Sequence, residues 1–228
     1  MLLSAALIVG CGQAEQQGVT DSDQVNIGVN YELSGAVATY GTATKNGIEL
    51  AFEEINNNGG VLGGKKINPI IRDNGSKNEE AMSVASKLVA EDNVVALLGP
   101  ATSGATLSAV PVATDNKIPL LTTSATNPDV TVDPNTKKVR DYIFRICFID
   151  PPQAIVGATF AYDKLGARKA GILYDNSNDY SKGLYQVFKD EFAKKGGEIV
   201  AEESFNQGDQ DFRPALTAFK RANCDVRK

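Results

Sequence analysis

The sequence predicts an α/β fold of two lobes, each on a doubly wound parallel sheet, with the second lobe incomplete. Apolar, β-branched runs alternate strictly with segments of helical periodicity from about Val25 onward. That order produces βα units and a parallel sheet. The rhythm is interrupted once, over the polar stretch Asn127–Arg140, and then restarts. A loop of this length in a compact domain marks a functional edge or a domain junction. The expected organisation is residues 1–24 as a leader remnant and tether, 25–149 as the first lobe, and 150–228 as part of a second.

The elements follow in order. Leu2–Val9 is an apolar run, too short for the roughly 20 residues that a membrane-spanning helix needs. The tetrapeptide Ile8-Val9-Gly10-Cys11 after it resembles a bacterial lipobox, which implies lipidation of Cys11. Gly12–Asp23 is polar and Gln-rich, as a flexible tether is. Val25–Tyr31 reads as a strand. Ile48, Ala51, Phe52 and Ile55 recur at helical spacing and predict a helix over 45–58, stopped by Asn56-Asn57-Asn58-Gly59-Gly60. Gly63-Gly64 turns the chain into a strand, Ile67–Arg72. Ala81, Val84, Ala85 and Leu88 mark the next helix. Val94–Leu98 is a strand, Ser103–Asn116 a helix kinked by Pro111, and Pro119–Thr122 a strand. Tyr142–Phe148 is a strand in which Cys147 is expected to be a buried free thiol. Asp150-Pro151-Pro152 opens a helix with proline in its first turn. The restarted rhythm predicts strand Ala170–Tyr174, helix Lys182–Lys195, strand Glu198–Phe205 and helix Phe212–Ala222. Asp225-Val226 reads as the start of one more strand.

Two strand ends carry the functional signal. Val94–Leu98 runs into Gly99-Pro100-Ala101-Thr102-Ser103-Gly104 and a helix, and Pro119–Thr122 runs into Thr123-Ser124-Ala125-Thr126-Asn127-Pro128. Ligands of open parallel sheets bind outside the carboxyl ends of strands, and a helix N-terminus there favours an anion. Hydroxyls and free backbone N–H groups suit a small molecule bearing a carboxylate. They suit catalysis poorly.

Composition excludes several alternatives. The 228 residues contain no histidine, so the usual Ser-His triad is impossible. A net charge of -5 argues against a protein that tracks nucleic-acid phosphates. Gly59–Gly64 follows a helix and precedes a strand, the reverse of a phosphate loop, and is a turn. Asp209, Asp211, Glu202 and Glu203 match no metal-ligand spacing and read as solvated surface. With Cys11 set aside, Cys147 and Cys224 are far apart in sequence and imply no disulfide framework.

Taken together the motifs resemble the branched-chain amino-acid-binding (Leu/Ile/Val) proteins of ABC transporters, of the type I periplasmic-binding-protein fold. The resemblance is carried by Leu33-Ser34-Gly35-Ala36 with Tyr40-Gly41; Glu54-Ile55-Asn56 with Gly59-Gly60-Val61 and Gly63; and Ala85 with Lys87-Leu88-Val89. It continues through Gly99 with Ser103; Ile118-Pro119-Leu120 with Ser124, Thr126 and Pro128; Phe144-Arg145; Asp150 with Gln153; Tyr180 with Gly183-Leu184; and Asp211-Phe212. It covers roughly Val25 to Asp225. It implies a non-enzymatic, monomeric lipoprotein outside the cytoplasm, without cofactor or metal. Such a protein captures an amino acid between its lobes and delivers it to a membrane permease. An amino-acid- or amide-sensing module of a receptor is the alternative. By the same resemblance Ser103 donates to the ligand carboxylate, as Thr126 does through backbone and hydroxyl. The Ser124 carbonyl accepts from the α-ammonium. Tyr40 walls the pocket from lobe one, and Tyr180 reaches in from lobe two. Two departures stand out. The family's acidic partner for the ammonium lies downstream of Lys228, and Ser181 stands where the family has glycine, with helix capping as its expected role.

Overall fold

The computed structural model describes residues 23–225. The leader, with Cys11, and Val226 of the expected last strand lie outside the described residues.

Lobe one is a five-stranded, wholly parallel sheet in the order β2-β1-β3-β4-β5. Its strands are β1 (Gln24–Tyr31), β2 (Lys66–Asp73), β3 (Ala96–Leu98), β4 (Leu120–Thr122) and β5 (Ile143–Arg145). The helices between them are α1 (Ala38–Asn57), α2 (Asn78–Ala90) and α3 (Ser103–Asp115). Successive strand residues face opposite sides, which builds two cores. Leu97 packs with Val84, Ala85 and Leu88 of α2 and Ala109, Val110 and Ala113 of α3. Its neighbour Leu98 joins Val29, Tyr31, Ala101 and Ile48 of α1 on the other face. The sheet is therefore doubly wound. Between the cores, the buried Asn30 amide donates to the Ala81 carbonyl of α2 and accepts from Asn74, which leaves a buried polar pair satisfied.

Lobe two is smaller. Its sheet pairs β6 (Lys169–Asp175) with β7 (Glu198–Phe205) in parallel. It carries α4 (Asp150–Thr159), α5 (Asp179–Lys194) and α6 (Arg213–Arg221), with a π turn, Phe160–Lys164, extending α4. Phe192 is its fully buried anchor, stacked on Phe188 and met edge-on by Tyr162. Leu173 and Leu216 stay exposed.

Four expectations need correction. α1 begins at Ala38 rather than 45, because Gly41 allows its first turn to lie directly on the Glu32 peptide: a Cβ there would sit 2.1 Å from the Glu32 carbonyl oxygen. β5 has three residues rather than seven, since β4 offers three partners and the chain then leaves for lobe two. Cys147 is thereby placed outside any strand and only half-buried. Ser181 does not cap α5; the Asn178 side chain does, accepting from the N–H groups of Tyr180 and Ser181, while the Ser181 hydroxyl accepts from Asp175 N–H.

Candidate ligand-binding site

The β3 and β4 ends lie side by side because those strands pair, Leu97 with Leu120 and Leu98 with Leu121. Their loops are stitched together. Thr122 Oγ1 donates to the Pro100 carbonyl at 2.7 Å, and Ser124 Oγ donates to the Ala101 carbonyl at 2.9 Å. The buried Ser103 hydroxyl, at the start of α3, accepts from Asn127 N–H at 3.2 Å. Arg145 braces the second loop from below, its guanidinium donating to the carbonyls of Ala125, Asn127 and Pro128.

Lobe two closes over this edge. Asn127 Nδ2 donates to the Asp179 carbonyl at 2.9 Å. Gly104 lets the surfaces meet, since a Cβ there would lie 2.9 Å from Asn78 and 3.2 Å from the Asp179 carboxylate. Between the lobes lies a cavity of about 550 Å³. Tyr40, Ser103, Ser124, Thr126 and Tyr180, the five residues singled out in the sequence, all line it. Tyr40 stands in the first turn of α1 and is 62% exposed. Tyr180 stands in the first turn of α5, its hydroxyl accepting from Gln153 Nε2 at 3.1 Å.

The rest of the lining comprises Val37, Phe148 and Cys147, the amide side chains of Gln153 and Asn178, and Ala101, Thr102 and Thr123. Among the described residues, no acid, lysine or arginine lines it. Hydroxyls gather on the lobe-one edge, the Gln153 and Asn178 amides come from lobe two, and Val37, Phe148 and the tyrosine rings offer apolar surface. Such a cavity pairs a polar head group and shelters an apolar tail. A polar cleft of about 320 Å³ adjoins it, sharing Val37, Thr102 and Asn178.

Charged groups stand directly behind the lining. Glu32 is fully buried and accepts from Ala101 N–H, Thr102 N–H and the Thr102 hydroxyl. Tyr31 beside it donates to or accepts from Thr123 Oγ1 at 3.1 Å, and burial pushes its hydroxyl up to about 12, with the Glu32 charge adding to the rise. Asp150 opens α4 fully buried, with the Thr126 hydroxyl beside it but outside ordinary hydrogen-bond geometry. Burial pushes its carboxyl above the ordinary range, against the Thr126 hydroxyl and the Arg145 charge, which lower it. Burial likewise raises the Cys147 thiol.

Sequence reasoning missed Glu32, Asn127 and the cavity-lining Phe148 and Cys147. Their roles rest on contacts with residues distant in the chain, Glu32 with Ala101 and Asn127 with Asp179. The one sequence signal for Glu32 was an acidic residue directly after an apolar strand.

The comparisons with known proteins agree with this geometry. The chain is 33% identical over 202 residues to the Leu/Ile/Val-binding protein BraC3 of Rhizobium johnstonii, covering 89% of this chain and 53% of that one. Among solved structures it resembles the leucine-binding protein LivK of Thermotoga maritima, with a TM-score of 0.78 and 33% identity, covering 88% of this chain and 54% of the other. It also resembles the branched-chain amino acid transporter substrate-binding protein LivJ of Streptococcus pneumoniae, solved with isoleucine, at a TM-score of 0.75 and 43% identity, covering 86% and 54%. The chain thus spans about half the length of the relatives it matches. With the periplasmic binding protein family model matching residues 24–227, nearly all of the doubly wound framework and its cavity, the chain belongs to the periplasmic binding protein family.

Proposed function

We propose that this chain is the ligand-capturing portion of an extracytoplasmic solute-binding protein for a branched-chain or similar amino acid, which it delivers to an ABC transporter permease. The observation that carries the reading is the uncharged interlobe cavity, with Ser103, Ser124 and Thr126 on one side and Tyr180 on the other. In it Ser103 and Thr126 serve the carboxylate, Ser124 the ammonium, and Tyr40 and Tyr180 the side chain. Binding proceeds without covalent chemistry, by hinge closure of a lobe over 25–149 against one over 150–228. A monomer held to the membrane through a lipid on Cys11 completes the proposal, and metabolic fatty-acid labelling that persists in Cys11→Ala would refute that anchor.

The names of the relatives support the amino-acid class. Among the described residues no carboxylate lines the cavity to take the ammonium, and a hydrogen bond to a charged group contributes about 1.5–3 kcal/mol, so these residues by themselves are expected to bind weakly. Calorimetry and ligand-observed NMR with leucine, isoleucine and valine test the proposal. Saturable binding at up to millimolar concentration, with the amino acid recovered unchanged, is the expected result. No binding of any of the three, or turnover of one, refutes it.

A further inference from the structure

Glu32 is a buried carboxylate that ties the end of β1 to the Ala101–Thr102 segment. It follows β1 directly, is fully buried, and lies behind the cavity wall rather than in it. Its oxygens accept from Ala101 N–H at 3.0 Å, Thr102 N–H at 3.1 Å and Thr102 Oγ1 at 2.8 Å. Two of those donors are backbone groups that can only donate, so both carboxyl oxygens act as acceptors, the role the charged form fills best. None of the ion pairs among the described residues involves it. Ala101 and Thr102 are themselves part of the wall. A fixed negative charge therefore stands one residue behind the edge where the ligand head group would sit.

That charge stands just behind the positive end of α3. A helix N-terminus favours an anion through its free N–H groups and its dipole; Glu32 takes only the two N–H groups before the first turn, Ala101 and Thr102, and its charge opposes the dipole from behind. An incoming carboxylate meets the Ser103 side with the dipole's attraction offset by a buried anion. A net-negative ligand is penalised. A ligand carrying its own positive group beside the carboxylate is not, since its ammonium is drawn by the same charge. Among the described residues of the lining none is charged, so no side-chain ion of the wall lies between this charge and the ligand.

We propose that Glu32 is a specificity-determining residue: its buried charge makes the cavity accept zwitterionic amino acids and reject the same carbon skeleton without the ammonium. The inference rests on the amino-acid reading above and names the residue that enforces it. It also makes Glu32 a positioning residue, because it fixes the Ala101–Thr102 segment that precedes Ser103.

The test compares leucine with 4-methylpentanoate, its deaminated counterpart, on the full chain and on Glu32→Gln, by calorimetry and ligand-observed NMR. The wild type should prefer leucine by on the order of tenfold or more, the effect of one charge acting across a single layer of residues. In Glu32→Gln that preference should shrink by about the same factor. A role confined to holding the loop would weaken both ligands in proportion and leave the ratio unchanged, which overturns the inference. If circular dichroism shows that Glu32→Gln does not fold, Glu32→Met, uncharged and of similar length, takes its place in the same comparison. In the wild type, binding of 4-methylpentanoate within threefold of leucine (about 0.65 kcal/mol) also overturns the inference. Leucine binding with an unchanged ratio refutes the Glu32 role alone, whereas failure of the wild type to bind leucine removes the amino-acid reading and this inference with it.

Discussion

Two glycines on α1 offer the same substitution with opposite expected outcomes. Gly41 lies against the Glu32 backbone: an added Cβ would be 2.1 Å from its carbonyl oxygen, 2.6 Å from its carbonyl carbon and 3.0 Å from its nitrogen. Ordinary contact begins at 3.4 Å, so the helix or the Glu32 peptide must move by roughly 1 Å against packed neighbours. Overpacking of this kind costs about 1–3 kcal/mol, and a clash with backbone atoms belongs at the upper end. Alanine returns about 1 kcal/mol through its helix propensity, leaving Gly41→Ala about 2 kcal/mol less stable than the parent. Gly47 is exposed on the same helix with nothing within 4 Å of its Cβ position. Gly47→Ala should therefore be more stable by about 0.5–1 kcal/mol. Denaturant unfolding followed by far-UV circular dichroism measures both. A Gly41→Ala variant within about 0.5 kcal/mol of the parent, the range of an ordinary surface substitution, or the same sign for both variants, would refute the close approach of α1 to Glu32.

Other consequences are as direct. Ser103→Ala removes a proposed ligand hydrogen bond and leaves Asn127 N–H without its acceptor, so leucine affinity should fall by about 10- to 100-fold; unchanged affinity in calorimetry removes Ser103 from the site. Tyr31, held up at about 12, is neutral in both states below pH 10. Above that the unfolded chain ionises first, so stability should fall between about pH 10 and 12, by up to about 2–3 kcal/mol. Tyr31→Phe should lack that portion of the alkaline loss, and an undiminished loss in the variant refutes the assignment. Asp150 has its carboxyl raised by burial; its stabilising contribution is present at low pH and is lost as pH rises through the folded-state value. Asp150→Asn should thus gain stability over the parent at pH 7, with the gain vanishing near pH 3, and a less stable variant at pH 7 contradicts it.

The fold class was legible because it rests on local patterns. Hydrophobic alternation and 3.6-residue periodicity are written along the chain, and so are the glycine and asparagine stops. The strands from β1 to β7 and the helices between them appear in the expected order. The hydroxyl clusters were legible for a related reason. Parallel βα order sends every strand's carboxyl end to the same edge, so Ser103, Ser124 and Thr126 had to emerge near one another.

What local pattern cannot carry is long-range approach. Residues 38–44 hold small and polar side chains with no apolar stripe, and they become helix because Gly41 lies against Glu32, nine residues earlier in sequence. Tyr142–Phe148 has the composition of a longer strand but pairs only where β4 supplies partners, so Cys147 and Phe148 become cavity wall instead of core. The charges behind the lining depend on distance through space as well: Glu32 finds its donors about seventy residues away, and Asp150 is buried where α4 meets the lobe-one edge. Periodicity and turn chemistry act over a few residues and specify elements. The electrostatic environment of a site is set by groups brought together only when those elements pack, and that is why the hydroxyl clusters at Ser103 and Ser124 could be placed at strand ends from the chain, and Tyr180 singled out by family resemblance, while Glu32 could not.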